Sequence, residues 1–276
     1  KIKILNDVQI LRPLLSFRKK RLIATCRAEK IKYLNDPSNL DEKYERVRVR
    51  NYLNSKEVKE LNKIEKNFEQ QQKKNLLIEK KISKFFVQKL KFFKYGVFEL
   101  KIEDLQEYSS ELQLEILKKI LSTCASKNSI PRRDSLLTFL KKVQKNTLLT
   151  HTLHSCVIKI SKKKMKIYKE ITNKFEENYC DLKKGEKILW QERFEVESTK
   201  TNIEIKNINQ QNWQKLKVYF SFEKSKLNFL ILQTLPLIIV NRKFIIPFLS
   251  PESDLKKYGI NFFFKPITPL LKKNFF

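Results

Sequence analysis

Tyr33-Leu34-Asn35-Asp36-Pro37-Ser38-Asn39, then Asp41 after one leucine, then Tyr44-Glu45-Arg46-Val47-Arg48-Val49-Arg50, is the stretch on which the reading of this chain turns. Asn, Asp, Pro and Ser in succession are turn chemistry: proline presets φ, and the short polar side chains bond to their own backbone. Asp36 to Asn39 fits a turn and helix entry as well as it fits a site. The Arg-Val alternation reads two ways. As a strand it puts all three arginines on one face. As a helix, which the cap-like Asp41 and the stripe that follows favour, Arg46 and Arg50 share a face at i,i+4 and Arg48 points away. Glu42 with Arg46 and Glu45 with Arg48 would then be ordinary surface pairs of about 0.3–0.5 kcal/mol each. Arg50 has no acid at those upstream spacings, so Arg50 and Arg46 are expected to face a ligand and Arg48 to be structural.

Upstream, residues 2 to 11 are apolar-rich, and Ile10-Leu11-Arg12-Pro13-Leu14-Leu15 reads as a strand end entering a loop. Ser16 is placed to cap a helix from Phe17 to about Lys30, with Leu22, Ile23 and Cys26 as its apolar face, and Ile31 to Leu34 as a short extended piece. This is the form of the last unit of an α/β domain. Downstream the pattern is helical for about 100 residues. Val58, Leu61, Ile64 and Phe68 make one stripe; Ile78, Ile82, Phe85, Phe86, Leu90 and Phe93 make another, and both read as core. Gly96 breaks the pattern, Val97 to Ile102 alternates as a strand, and helices follow near 111–125 and 133–143. Beyond Thr150 the period is that of strands. Thr152 to Ile160 and Met165 to Lys169 flank a lysine-rich turn. Further strands fall at 187–197, 237–241, 244–248 and 260–265, with a helix near 210–219. The expected fold class is therefore α+β and multidomain: residues 1–51 end an α/β domain, 52–145 are helical, and 146–276 are β-rich.

The 276 residues carry 59 Lys and Arg against 30 Asp and Glu, a net charge of +29. Twenty phenylalanines and 41% hydrophobic residues supply a core, which excludes a disordered tail. Such a charge favours a polyanion, nucleic acid first, because Lys and Arg displace the counterions condensed on phosphates. The excess is spread evenly, at +8, +9 and +12 over residues 1–50, 51–150 and 151–276, so bulk charge locates no site. Arginine is different: seven of eleven lie in the first 50 residues, and its planar fork suits bidentate binding of phosphate or carboxylate.

Several chemistries find no pattern. Gly96, Gly185 and Gly259 are the only glycines and stand apart, whereas a phosphate-cradling loop needs several together. The cysteines, Cys26, Cys124, Cys156 and Cys180, form no CxxC pair, which disfavours zinc and disulfides and suits a reducing cytoplasm. His151 and His154 lack a nearby carboxylate and read as polar residues, not metal ligands. The longest charge-free run, Leu227 to Asn241, is too short and polar to span a bilayer. No signal peptide opens the chain, and with Met165 as its only methionine, Lys1 reads as an internal position of a longer protein.

The series Arg12-Pro13-Leu14-Leu15, Tyr33 to Asn39, and Asp41 with Tyr44 to Arg50 resembles the segment that closes the catalytic domain of the tRNA(Ile)-lysidine synthases. The resemblance continues through Ile130-Pro131-Arg132-Arg133, Thr152 to Cys156, Leu189-Trp190 to Phe194, Leu235-Pro236, and Phe264-Lys265-Pro266 with Pro269-Leu270. These look like the C-terminal domains of the alphaproteobacterial branch of that family. Two departures touch loop details: His154-Ser155 replaces a small Gly-rich step, and a proline after Arg50 is missing.

The resemblance implies an ATP-dependent ligase acting on the isoleucine tRNA with a CAU anticodon. The C2 oxygen of the wobble cytidine is adenylated, the lysine ε-amine attacks C2, and AMP leaves. It implies ATP with Mg2+ as cofactor, tRNA(Ile) and free lysine as partners, no membrane, a cytoplasmic location, and leaves a homodimer open. The family's Ser-Gly-Gly-x-Asp-Ser loop is absent from this sequence, so no catalytic residue is assigned here. Residues 1–51 would be the tail of the catalytic domain, 52–145 a linker domain, and 146–276 a tRNA-binding domain. The candidate tRNA-binding or cleft-lining residues are Arg12, Asp36, Ser38, Asn39, Arg46, Arg50, Arg132 and Arg133. Arg132 and Arg133 also read as a solvated helix start, and Trp190 and Trp213 as core residues. A different class, a non-enzymatic basic RNA-binding protein associated with the ribosome, accounts for the charge but not for the ordered motifs.

Overall fold

A computed structural model describes residues 2–5, 8–11, 13–34, 36–145, 150–171, 179–220 and 228–271. The fold is α+β and multidomain, and the chain divides into two compact units, residues 1–72 and 73–276.

In the first unit, β1 (Ile2–Leu5) and β2 (Val8–Leu11) pair antiparallel, and Pro13–Ser16 then forms a 3-10 turn. Because Ser16 is spent in that turn, helix α1 (Lys19–Ala28) starts later than its position predicts, after Arg18, which gives it no side-chain cap. Residues 31–34 form no strand. Leu34 is 98% exposed and pairs with no neighbouring strand among the described residues. A second 3-10 turn (Pro37–Asn39) leads into α2 (Glu45–Asn54), so the Arg-Val alternation is helical. Val47 is the one residue of α2 that is buried.

Helix α3 (Val58–Gln88) crosses the division between the units. Its two stripes behave differently. Ile82, Phe85 and Phe86 are buried, whereas Phe68 remains 66% exposed.

The second unit continues with β3 (Lys91–Phe93), β4 (Val97–Lys101), α4 (Ile102–Gln106), α5 (Ser110–Ala125) and α6 (Arg133–Gln144). Then follow β5 (Thr150–Leu153), β6 (Cys156–Ser161) and β7 (Lys164–Lys169), and these five strands form one sheet in the order β3-β4-β7-β6-β5. The sheet draws strands from both sides of residue 145, so the expected helical and β-rich parts share it. The expected single strand 152–160 is split, because His154 and Ser155 take left-handed φ values of 52° and 55° and form the two-residue turn between β5 and β6.

The remaining strands are β8 (Tyr179–Leu182), β9 (Lys187–Trp190), β10 (Phe194–Ser198) and β11 (Ile203–Asn207), followed by α7 (Gln210–Phe220) and α8 (Phe229–Leu232). The chain continues with β12 (Pro236–Val240), β13 (Lys243–Ile245), α9 (Glu252–Tyr258) and β14 (Ile260–Phe264). They form sheets β14-β10-β9 and β13-β12-β11-β8, all antiparallel. The expected strand 187–197 is likewise a hairpin, turning at Gln191 and Glu192.

Alternation does the packing. Phe98 and Leu100 of β4, Met165 and Ile167 of β7, and Phe194 and Val196 of β10 point inward, as do Leu114, Leu117 and Leu121 along one side of α5. Each such side chain contributes about 1.5–3 kcal/mol by leaving water. One continuous apolar core runs from Ile82 to Leu270, through the helices and all three sheets of this unit.

Candidate functional site

The turn quoted at the outset folds around Asp36. Its carboxylate accepts the Ser38 backbone N–H at 2.9 Å, capping the 3-10 turn, and proline at the next position needs no partner for its missing N–H. Arg46, eight residues on and in the first turn of α2, donates from Nη2 to Ser38 Oγ at 2.9 Å. The Ser38 backbone N–H first, then its hydroxyl, then the more distant Arg46 charge hold the Asp36 carboxyl below its ordinary value. A depressed carboxyl stabilises the fold above its unfolded pKa and loses that contribution as pH falls through the folded value. The turn is therefore fixed at neutral pH and loosens in acid. Asn39 ends the turn, half-buried.

Arg48 points away from this assembly. It donates from Nη1 to the carbonyl oxygens of Glu42 at 3.0 Å and Lys43 at 3.1 Å, tying the approach segment to α2. The two surface pairs considered from the sequence do not form: Glu42 accepts from Asn51 Nδ2 at 2.8 Å instead. Arg50 is exposed and makes no hydrogen bond or ion pair among the described residues. Arg46 also lies over the Tyr44 ring, 5.2 Å from its centroid, with Lys43 at 5.1 Å. The result is a guanidinium held in place by a serine and a tyrosine, with a free one a turn further on. The chemistry of such an arrangement suits an anion, for which guanidinium groups offer charge-assisted hydrogen bonds.

Arg12 lies outside the described residues. Arg132 and Arg133 sit at the start of α6 in the second unit, both exposed, after the buried Pro131. Trp190 is buried, and Trp213 is half-buried and packs on Phe229 at 4.6 Å. His151 stacks on Phe139 at 5.3 Å, and burial first, then Lys127, lowers the pKa of His154. No cluster of three metal-ligating side chains occurs among the described residues.

Arg193 carries no signal in the sequence. Fully buried, it donates from Nη2 to the Gly96 carbonyl at 3.2 Å and lies over the rings of Phe194 and Phe264, at 5.1 and 5.6 Å. Gly96 has φ +77°, and a Cβ there would collide with this guanidinium. Burial, then the Arg193 charge, pushes the Lys169 ammonium down to about 8. One arginine in a strand-like run reads as an outward residue, and only the turn at Gln191–Glu192 aims it inward.

Residues 1–57 match the family model described as a PP-loop domain. A tRNA(Ile)-lysidine synthase of Rickettsia typhi is 28% identical over 271 residues, covering 93% of this chain and 62% of the relative. One from Rickettsia bellii is 29% identical over 280 residues with the same coverage, and one from Rickettsia prowazekii is 30% identical over 194 residues, 68% of this chain and 44% of the relative. Along nearly its whole length the chain is similar to tRNA(Ile)-lysidine synthases.

Members of this ligase family carry an ATP-binding PP-loop domain. The chain spans about 62% of the length of the curated relatives first matched. Its three glycines form no loop that would cradle the phosphates of ATP. Gly96 and Gly259 are filled by their neighbours, Gly185 stands in a tight turn between β8 and β9, and none adjoins another glycine. No catalytic step is therefore assigned to these residues. Among the described residues no helix is long and apolar enough to cross a membrane.

Proposed function

We propose that this chain supplies the tRNA-holding part of a tRNA(Ile)-lysidine synthase. The whole enzyme would join the ε-amine of free lysine to C2 of the wobble cytidine in the CAU-anticodon isoleucine tRNA, in the cytoplasm, with ATP consumed and Mg2+ as cofactor in a site of the PP-loop domain. The observation that carries the reading is the likeness to synthases of that name over 93% of the chain. The net charge of +29 and the presented guanidinium groups of Arg46 and Arg50 support it. In this reading residues 1–51 close the catalytic domain, 52–145 link, and 146–276 grip tRNA, with the core from Ile82 onward common to the last two. Asp36, Ser38 and Asn39 set the position of Arg46, while Arg12, Arg132 and Arg133 add phosphate contacts.

Two measurements on the chain test this. Titration with tRNA from 50 to 200 mM salt should give a log–log slope of roughly 0.7 to 0.9 per phosphate contact, with modest preference for tRNA(Ile). Incubation with labelled ATP, lysine and the same tRNA should release no AMP above background, since no glycine loop holds the phosphates. Salt-independent binding, or none at 50 mM salt, overturns the tRNA-holding role; AMP release overturns the assignment of the chemistry to residues outside this chain.

A further inference from the structure

The five-stranded sheet has two unlike faces. Phe98, Leu100, Ile158, Met165 and Ile167 face α5 and the core. Register then assigns the other face. Lys91 of β3 opposes Glu99 of β4, Glu99 opposes Lys166 of β7, and Lys166 opposes Lys159 of β6. The row on one side pairs Lys101 with Lys164. The row on the other side holds Phe93 and Val97, then Tyr168 and Val157. These rows thus carry five lysines against a single acid, Glu99, which the Lys164 ammonium approaches at 3.5 Å.

The lysines border an aromatic ledge. Phe93 stacks on Tyr95 with ring centroids 5.3 Å apart and planes at 28°. Lys91 and Lys166 hold their ammonium groups 4.9 and 5.8 Å from the centre of the Phe93 ring. Ile231 of α8 packs against Val97 and Tyr168 at the inner end of the ledge, while Phe93 and Tyr95 stay half-exposed.

We propose that this face binds an unpaired segment of RNA, with a base laid on Phe93 and the flanking phosphates taken by Lys91, Lys159 and Lys166. The proposal rests on the reading of the chain as RNA-holding and names the surface. A flat ring bordered by cations offers a splayed-out base a stacking partner and its phosphates a counter-charge. A base on Phe93 replaces the ammonium groups there, which then turn to the phosphates on either side. Lys91 and Lys166 stand two strand spacings apart, about 10 Å, with Lys159 one strand further. A duplex keeps its bases stacked inside and gains only the charge.

The test uses the full chain, a labelled oligouridine of about eight nucleotides, an RNA duplex of about 16 base pairs, and tRNA. Phe93→Leu keeps an apolar side chain and removes the flat face; it should weaken single-strand binding about tenfold and change duplex binding by less than about twofold. Lys91→Gln, Lys159→Gln and Lys166→Gln together should lower the salt slope for the single strand by about 2. The same triple change at the exposed Lys183, Lys184 and Lys187, a control set in the second unit, should leave that slope within about 0.5. Should Phe93→Leu melt below the assay temperature, the two lysine triples decide alone. The platform is overturned if Phe93→Leu binds the strand as the unmodified chain does, if the control triple lowers the slope equally, or if phosphatidylserine vesicles displace the strand. An unmodified chain that binds tRNA but not the strand sinks only the platform, whereas one that binds neither sinks the RNA-holding reading with it.

Discussion

Arg46, Arg48 and Arg50 are three identical side chains within one and a half turns of helix, and their surroundings give them three roles. Arg48 satisfies two carbonyls of the segment that leads into α2, Arg46 locks the Asp36 turn through Ser38, and Arg50 is committed to nothing in the described structure. Arg48→Ala should therefore lower stability by about 0.5–1.5 kcal/mol, the net worth of a typical hydrogen bond, with tRNA affinity following only as the fold is lost. Arg50→Ala should leave the melting temperature unchanged and weaken tRNA binding, and Arg50→Lys should restore most of the affinity because a phosphate contact needs the charge first. Thermal melts alongside tRNA titrations separate these cases. Intact affinity in Arg50→Ala together with lost affinity in a folded Arg48→Ala would reverse the assignment. The helix was legible here, since i,i+4 spacing alone puts Arg46 and Arg50 together. The acceptors of Arg48 were not, because backbone carbonyls leave no mark in sequence.

At the scale of elements, the hairpins stand out for what they are made of. Four of them turn on ordinary residues in the left-handed region: His154-Ser155, Lys162-Lys163, Gln191-Glu192 and Asn241-Arg242 all have φ between 47° and 63°. Each such residue costs roughly 1–2 kcal/mol relative to glycine. A chain with three glycines meets that cost through the sheets it closes. Lys162→Asn with Lys163→Gly places the preferred pair in the β6–β7 turn and keeps the backbone bond from Ile102 N–H to the residue 163 carbonyl. The exposed Lys163–Glu103 ion pair is lost, at less than about 1 kcal/mol. Stability should rise by about 1–2 kcal/mol, read as about 2–4 °C of melting temperature per kcal/mol. The same chemistry explains why the strands at 152–160 and 187–197 were read as continuous: without Gly or Asn-Gly, nothing in either run announces a turn.

For the whole molecule, the expected boundary near residue 145 falls inside a shared core. Phe85 and Phe98 on one side and Ile158, Phe194 and Phe264 on the other belong to the same buried cluster. A fragment of residues 73–276 should accordingly unfold in one cooperative transition, while residues 146–276 alone, stripped of β3, β4 and the α5 face, should give no sharp transition and bind a hydrophobic dye. Calorimetry on the two fragments checks this, and a cooperative melt of 146–276 would restore the boundary at 145. The first 72 residues form their own unit.

By itself the sequence determined the α+β class, the helices near 111–125, 133–143 and 210–219, the turn at Pro37 and the likeness to the synthases, because these rest on short-range periodicity, local turn chemistry and ordered motifs. Tertiary structure alone decided which apolar stripe of α3 is buried, where the long strands fold back, that helices and strands on both sides of residue 145 share a core, and that Arg193 is enclosed by phenylalanines. The physical reason is common to all four. Burial depends on partners far along the chain and the left-handed turns on the sheets they close, and that packing outweighs local preferences worth about 1 kcal/mol each.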